Sequence, residues 1–481
     1  MNGPLSNADL APVPLEARTW SRWNIAALWV GMAVCIPTYM LAATMIAAGM
    51  TWWQAVLTVL LGNLIVLGPM VANGHGGTKY GVPFPVLARA SFGTVGAHVP
   101  SIARAIVACG WFGIQTWIGG AAIYSILGAL GWITPATEAD FLPFLGISIG
   151  QFLCFIAFWL VHVVIVLTGI ESIKWLEAYA APFLIACGIG LLIWAFVAVE
   201  DTSMLFTSSS SRPDGVSFWT IFFPALTAMV GFWATLSLNI PDFTRYCRSQ
   251  ADQAAGQLMG LPSTMTLFSF VGIMVTGATV VLYGEAIWDP VKLVARMGST
   301  WVVVLSMLAL LIATLSTNLA ANVVSPANGF SNLAPRWISF RTGAMATAVI
   351  GILIMPWRLM TDLSDYIFVW LIGYSALLGP IAGIMLCDYF LIRKTELNAE
   401  ALYDPEGEYA GVSWPAMAAL VLAVLPNLPG FINAATGTAG TDEAFFHAFF
   451  DQIYGYAWFV GLPLAMIFYW LFKLMQQEKG N

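Results

Sequence analysis

The stretch WVGMAVCIPTYM (residues 29–40) interrupts the first apolar segment of the chain near its middle. Pro37 has no N–H to give a helix and disfavours helical geometry in the residue before it. Irregular backbone is tolerated in hydrocarbon only where it is buried in protein or lines a cavity. A second such place is SLNIPDFTRY (residues 237–246), where the sixth apolar segment ends at Pro241 after Gly231. Interrupted helices at corresponding places in two halves of a chain point to a binding site at the membrane midplane. The alternative is that these prolines simply kink two membrane helices.

Around these breaks the chain reads as membrane from end to end. Of its 481 residues 59% are apolar and 9% charged, against about 25% charged in soluble domains. Such a chain cannot coat a globule with polar surface, which excludes a nucleic-acid binder and a secreted disulfide domain. The six cysteines (35, 109, 154, 187, 247 and 387) lie in or beside apolar segments without paired spacing. They read as membrane-core residues rather than a disulfide framework or metal site. The first apolar segment is too long for the core of a cleavable signal peptide.

Apolar windows long enough to cross about 30 Å of hydrocarbon predict twelve spans. The first six cover residues 23–48, 52–72, 105–130, 143–169, 178–199 and 217–240. The other six cover 260–284, 301–325, 342–358, 366–392, 413–433 and 452–473. An even count puts both termini on one side. Only Arg212, Lys292, Arg296 and Arg358 then fall opposite the termini, leaving 14 of the 18 basic residues on the terminal side. That asymmetry makes both termini cytoplasmic. The expected organisation is a tail (1–22), a ten-helix core (23–392), a solvated cytoplasmic linker (393–412), two peripheral helices (413–473) and a tail (474–481). The Gly- and Pro-rich stretch at 73–100 predicts a short helical hairpin after span 2.

Polar groups inside spans carry the functional reading. In GWFGIQTWIGG (110–120), Trp111 and Gln115 lie four apart, on one helix face. An indole that stacks beside an amide that donates and accepts suits a planar polar heterocycle. Their other reading is an interfacial tryptophan and a glutamine joining two helices. Trp233 in span 6 supplies a possible opposite face. LLIATLSTNLAANVVSP (310–326) places Ala313, Ser316 and Thr317 at i, i+3 and i+4, where hydroxyls and a carbonyl can converge on a hard monovalent cation. The break in span 1 can add the carbonyls of Gly31 and Val34. The alternative for Ser316 and Thr317 is back-bonding to the preceding turn. Asn318 and Asn322 are again four apart, and either can bond a substrate. His162, the mid-span ionisable group, reads as a packing histidine before a proton relay. Pro182 and Gly379-Pro380 are candidate hinges.

WFGIQTWIGG in span 3, LSTNLAANVVSP in span 8, RTGAMATAVIGILIMPW in span 9 and LLGPIAGIMLCDYFLIRK in span 10 resemble the nucleobase–cation symporter family of purine/cytosine, hydantoin and allantoin permeases. The resemblance runs over about residues 15–475. It implies an all-α polytopic membrane protein: a five-plus-five inverted repeat of the leucine-transporter type with two added C-terminal helices. It further implies that Trp111 and Trp233 sandwich a ring, that Gln115 and Asn322 bond it, and that Gly31, Val34, Ala313, Ser316 and Thr317 hold sodium. Cys35 and Phe232 depart from the family's sodium-coupled hydantoin carrier, which has glutamine and glycine there. The expectation is a symporter importing a uracil-, allantoin- or hydantoin-type ring, in a bacterial-type plasma membrane, with sodium as coupling ion and no other cofactor. A proton-coupled permease or passive facilitator for cytosine or purines stays open. Neither HExxH nor a pair of membrane-buried carboxylates is present, so no enzyme is expected.

Overall fold

A computed structural model describes residues 3–168, 170–207, 215–297, 299–360, 365–441, 443–444 and 446–480, without the side chains of 168, 170–181, 184, 320, 365, 479 and 480. Arg212 lies outside the described residues, as do the side chains of Lys174 and Glu177.

Helices dominate the described residues, with two isolated bridges, Trp20–Cys247 and Phe141–Ser148. Eight helices are long and apolar enough to cross a bilayer, and the pair Arg22–Ala33 and Ile36–Ala47, bent by 61°, makes a ninth. Three shorter apolar helices, Ile185–Ala198, Phe218–Phe232 and Phe340–Leu353, occupy the remaining expected positions. Outward-facing leucines such as Leu57, Leu61 and Leu64 in span 2 and Leu153 and Leu160 in span 4 provide the apolar belt that lipid requires.

Contacts between spans repeat with an offset of five. Span 1 packs on span 7 (Gln250–Tyr283), and span 6 (Phe218–Phe232 and Ala234–Asn239) packs on span 2 (Trp52–Tyr80). Span 2 pairs with span 7, and span 3 (His98–Ala129) pairs with span 8 (Thr300–Asn322, continued by Val324–Ser331). Exchanging each span for the one five places away leaves this pattern unchanged, as an inverted repeat requires. Span 12 (Ala457–Gly480) lies outside the repeat and packs on spans 10 and 11.

The stretch after span 2 corrects the expectation. Instead of a break at residue 72, the helix runs to Tyr80 and ends at Gly81, whose φ is +72°. Two one-turn helices, Phe84–Leu87 and Arg89–Phe92, follow it. Glycine lowers helix propensity, yet here it permits close packing. A Cβ on Gly74 would meet the Gln253 side chain at 2.7 Å, and one on Gly77 would meet Pro241 Cα at 2.7 Å. Tertiary contact with spans 6 and 7 outweighs the local cost.

The segment 393–412 also differs from a solvated linker. Leu402 is fully buried and Tyr409 nearly so, and Arg393 pairs with the buried Asp388 at 2.8 Å and with Glu408. The N-terminal segment docks on the same face. Arg89, fully buried, donates to Leu5 O at 3.0 Å, Leu402 O at 2.9 Å and Asn332 Oδ1 at 2.6 Å. Arg18 reaches Thr78 O, and the Tyr403 hydroxyl donates to Leu10 O. These bonds cover the face that carries both termini.

Candidate functional site

The break in span 1 follows from Pro37. In an unbroken helix Ala33 O would accept from the N–H of residue 37, which proline lacks. Here Ala33 O accepts from Cys35 N at 3.0 Å instead. Cys35 N is thereby withdrawn from Gly31 O, its ordinary partner four residues back, and that carbonyl leaves the ladder. Val34 adopts φ −79° and ψ 79°, outside the helical region. Both halves of span 1 touch span 8.

Span 6 steps at Trp233, which has φ −102° and ψ 8° and separates its two helices. Gly231 just before the step is required by close approach of span 10: a Cβ there would lie 2.9 Å from Leu371 O and overlap the Ser375 hydroxyl. Span 10 has wide π-turns at its two ends, Asp365–Leu371 and Cys387–Ile392, around the helix Ile372–Leu386. Gly379-Pro380 is buried and packs against Trp458 and Gly461 of span 12. Pro182 lies within a continuous helix, Ile170–Ala198.

A cavity of about 30 Å³ sits where these breaks meet span 3 and span 8. Cys35, Trp111, Gln115, Phe232, Trp233 and Asn322, all expected at the substrate, line it. Thr317, expected at the cation, reaches it as well. Of the remaining expected cation groups, Val34, Ala313 and Ser316 are buried and Gly31 half-buried. The volume is room for about one water, against roughly 300 Å³ or more in small-ligand pockets, so the cavity is contracted. Phe232 packs against both indoles that line it. Its ring centroid lies 5.2 Å from that of Trp111 and 5.0 Å from that of Trp233, in both cases edge to face.

Several polar atoms here are buried without partners among the described residues: Gln115 Oε1, Trp233 Nε1 and Thr317 Oγ1. Such atoms are expensive in a low-dielectric interior unless a ligand, ion or water satisfies them. The Cys35 thiol pairs with Thr38 Oγ1 at 3.2 Å. Asn318 does not line the cavity, which corrects its assignment as a direct substrate contact. Its Nδ2 contacts Phe112 O at 3.1 Å, Thr116 Oγ1 at 3.2 Å and His162 Nε2 at 3.1 Å, while its Oδ1 accepts from Asn322. His162 is fully buried with a partner on each ring nitrogen, as a packing histidine should be.

Sequence reading did not anticipate Met32, Thr235, Leu236 and Ala321 in the lining, nor the aromatic wall behind Trp111. Tyr366, Trp370 and Tyr374 of span 10 hold their rings 6.4, 5.9 and 6.4 Å from it. Their spacing of four in DYIFVWLIGY (365–374) was the available signal, since it aligns all three on one helix face.

Comparison with known proteins agrees with this geometry. The family described as permease for cytosine/purines, uracil, thiamine and allantoin matches residues 12–461. A purine-uracil permease of Arabidopsis thaliana is 45% identical over 97% of this chain and 77% of its own. An allantoin permease of Bacillus subtilis is 39% identical over 97% of this chain and 92% of its own. Among solved structures, the nucleobase-cation-symport-1 transporter Mhp1, closed with bromovinylhydantoin bound, superposes with a TM-score of 0.77. That pair is 26% identical, covering 97% of this chain and 94% of Mhp1. A sodium-coupled sialic acid symporter at 14% identity, with a TM-score of 0.57, shares the fold alone. The chain is an integral membrane transporter, and it belongs to the family of permeases for cytosine and purines, uracil, thiamine and allantoin.

Proposed function

We propose that this protein is a secondary active symporter that imports a uracil-, allantoin- or hydantoin-type ring together with sodium, by alternating access. The observation that carries this reading is the convergence of Trp111, Gln115, Trp233 and Asn322, from three spans, on one cavity beside the break in span 1. In this reading the ring stacks on the indoles, with Gln115 and Asn322 bonding its edge. Sodium sits at the carbonyls of Gly31, Val34 and Ala313 and the hydroxyls of Ser316 and Thr317. The unpartnered Thr317 Oγ1 and the Gly31 carbonyl freed from its helix support that ion site. The relatives named for allantoin and for purines and uracil support the substrate class. The protein resides in a plasma membrane of bacterial type with both termini in the cytoplasm, as the excess of Lys and Arg on the terminal side favours.

The coupling follows from geometry. Phe232 and the contracted cavity leave no room for a ring until span 6 moves relative to span 3. Binding energy gained by the ring and the ion in the opened site can drive that shift only by favouring one state over the other. Covering of the terminal face by the N-terminal segment and by residues 393–412 must be undone before release there.

Proteoliposomes containing the purified protein test this directly. Uptake of labelled uracil, cytosine, allantoin, hydantoin and hypoxanthine is measured with a sodium gradient, a proton gradient or neither. Accumulation of one ring above its external concentration only with sodium is the expected result. Proton-driven uptake would remove the sodium site, and equilibration without any gradient would make the protein a facilitator.

A further inference from the structure

The hydrogen bonds behind Asn322 fix which way its amide faces. Two backbone carbonyls anchor the chain, and a carbonyl can only accept. At one end His162 Nδ1 lies 2.9 Å from Phe158 O, so Nδ1 carries the proton and Nε2 is left to accept. Asn318 lies 3.1 Å from that Nε2 and 3.1 Å from Phe112 O. The Thr116 hydroxyl, 2.7 Å from Phe112 O, spends its proton there and also accepts from Asn318. Only an NH₂ group, sharing one of its two hydrogens between two of them, can face all three acceptors. Turning Asn318 over would set its oxygen against Phe112 O, and reversing the imidazole tautomer would set a lone pair against Phe158 O. Asn318 Oδ1 must therefore face Asn322, which answers with Nδ2 at 3.0 Å. The Oδ1 of Asn322, a residue that lines the cavity, has no donor among the described residues.

We propose that His162 and Asn318 are positioning residues that fix the sense of the Asn322 amide, so that the site selects rings presenting an N–H to Asn322 over rings presenting a bare nitrogen or oxygen there. This rests on the reading of the cavity as the substrate site. It divides the candidate substrates by chemistry: uracil-, hydantoin- and allantoin-type compounds carry ring N–H beside C=O, whereas cytosine offers an unprotonated ring nitrogen at one of those places. The same geometry gives His162 no role as a proton carrier, because a second ring proton on Nε2 would face the Asn318 NH₂.

The test is competition binding to the purified protein with uracil, hydantoin and allantoin and, for each, analogues in which one ring N–H at a time is replaced by oxygen. For the ring that binds, one replacement is expected to cost about tenfold or more in affinity. In Asn318→Leu the Asn322 amide is free to turn, and the same ratio is expected to fall below about threefold. Equal binding of every oxygen analogue to the unaltered protein, or an undiminished ratio in Asn318→Leu, would overturn the inference while leaving the site in place. Should Asn318→Leu fail to fold, the ratios in the unaltered protein decide alone. Failure of every ring to bind would overturn the substrate reading and this inference with it.

Discussion

The Phe232 ring meets Trp111 edge to face with centroids 5.2 Å apart, and it meets Trp233 at 5.0 Å. A phenyl group therefore packs against both of the indoles proposed to hold the ligand. Replacing it is the most direct probe of the pocket. Phe232→Ala is expected to improve binding of rings with bulky substituents by about tenfold relative to the unsubstituted ring. Competition between hydantoin and a 5-substituted hydantoin measures that ratio, and no change would place Phe232 outside the ligand's path.

Trp111→Ala removes a stacking face, and Asn322→Ala removes the amide at the end of the hydrogen-bonded chain. Each is expected to cost at least about tenfold in apparent affinity for the transported ring. Normal concentration dependence of uptake in both variants would show that the substrate binds elsewhere.

Thr317→Val keeps the side chain's volume and deletes an oxygen that has no partner among the described residues. The sodium concentration for half-maximal uptake is expected to rise about tenfold. The test is a sodium titration at saturating ring concentration. An unchanged titration would exclude Thr317 as a ligand.

Gly77→Ala forces a methyl group to within 2.7 Å of Pro241 Cα. Overpacking of this kind costs ~1–3 kcal/mol, so the thermal midpoint in detergent should fall by several degrees. Gly68→Ala in the same helix meets nothing within 4 Å and should leave the midpoint unchanged or raise it, since alanine favours helix. Equal shifts for the two would mean that Gly77 is not a packing site.

The membrane class, the spacing of the spans and the position of the break in span 1 were legible in the sequence, whereas span 6 steps at Trp233, ahead of the stretch 237–246 where Pro241 suggested its break. Each legible feature depends on local chemistry: lipid demands long apolar runs, and Pro37 cannot complete a helix wherever it sits. That Trp111 and Gln115 share one face of span 3 was legible for the same reason, because a helix sets side-chain direction from spacing alone, and both line the cavity.

What only the tertiary structure decided is what each polar or small residue faces. Asn318 and Asn322 are the same residue type one helical turn apart, yet one turns to Phe112, Thr116 and His162 while the other lines the cavity. The glycines at 74, 76 and 77 weaken a helix taken alone, but packed against spans 6 and 7 and against Leu87 they extend one. Residues 393–412 carry enough charge to suggest solvent, yet they bury Leu402 and pair Arg393 with Asp388. Apart from Asp388, five residues from Arg393, and Leu87, the deciding partners lie tens to hundreds of residues away, which no local pattern encodes. The hydrogen-bond sense at Asn322 is the extreme case: it is set by two carbonyls, Phe112 O and Phe158 O, on spans that only folding brings beside span 8.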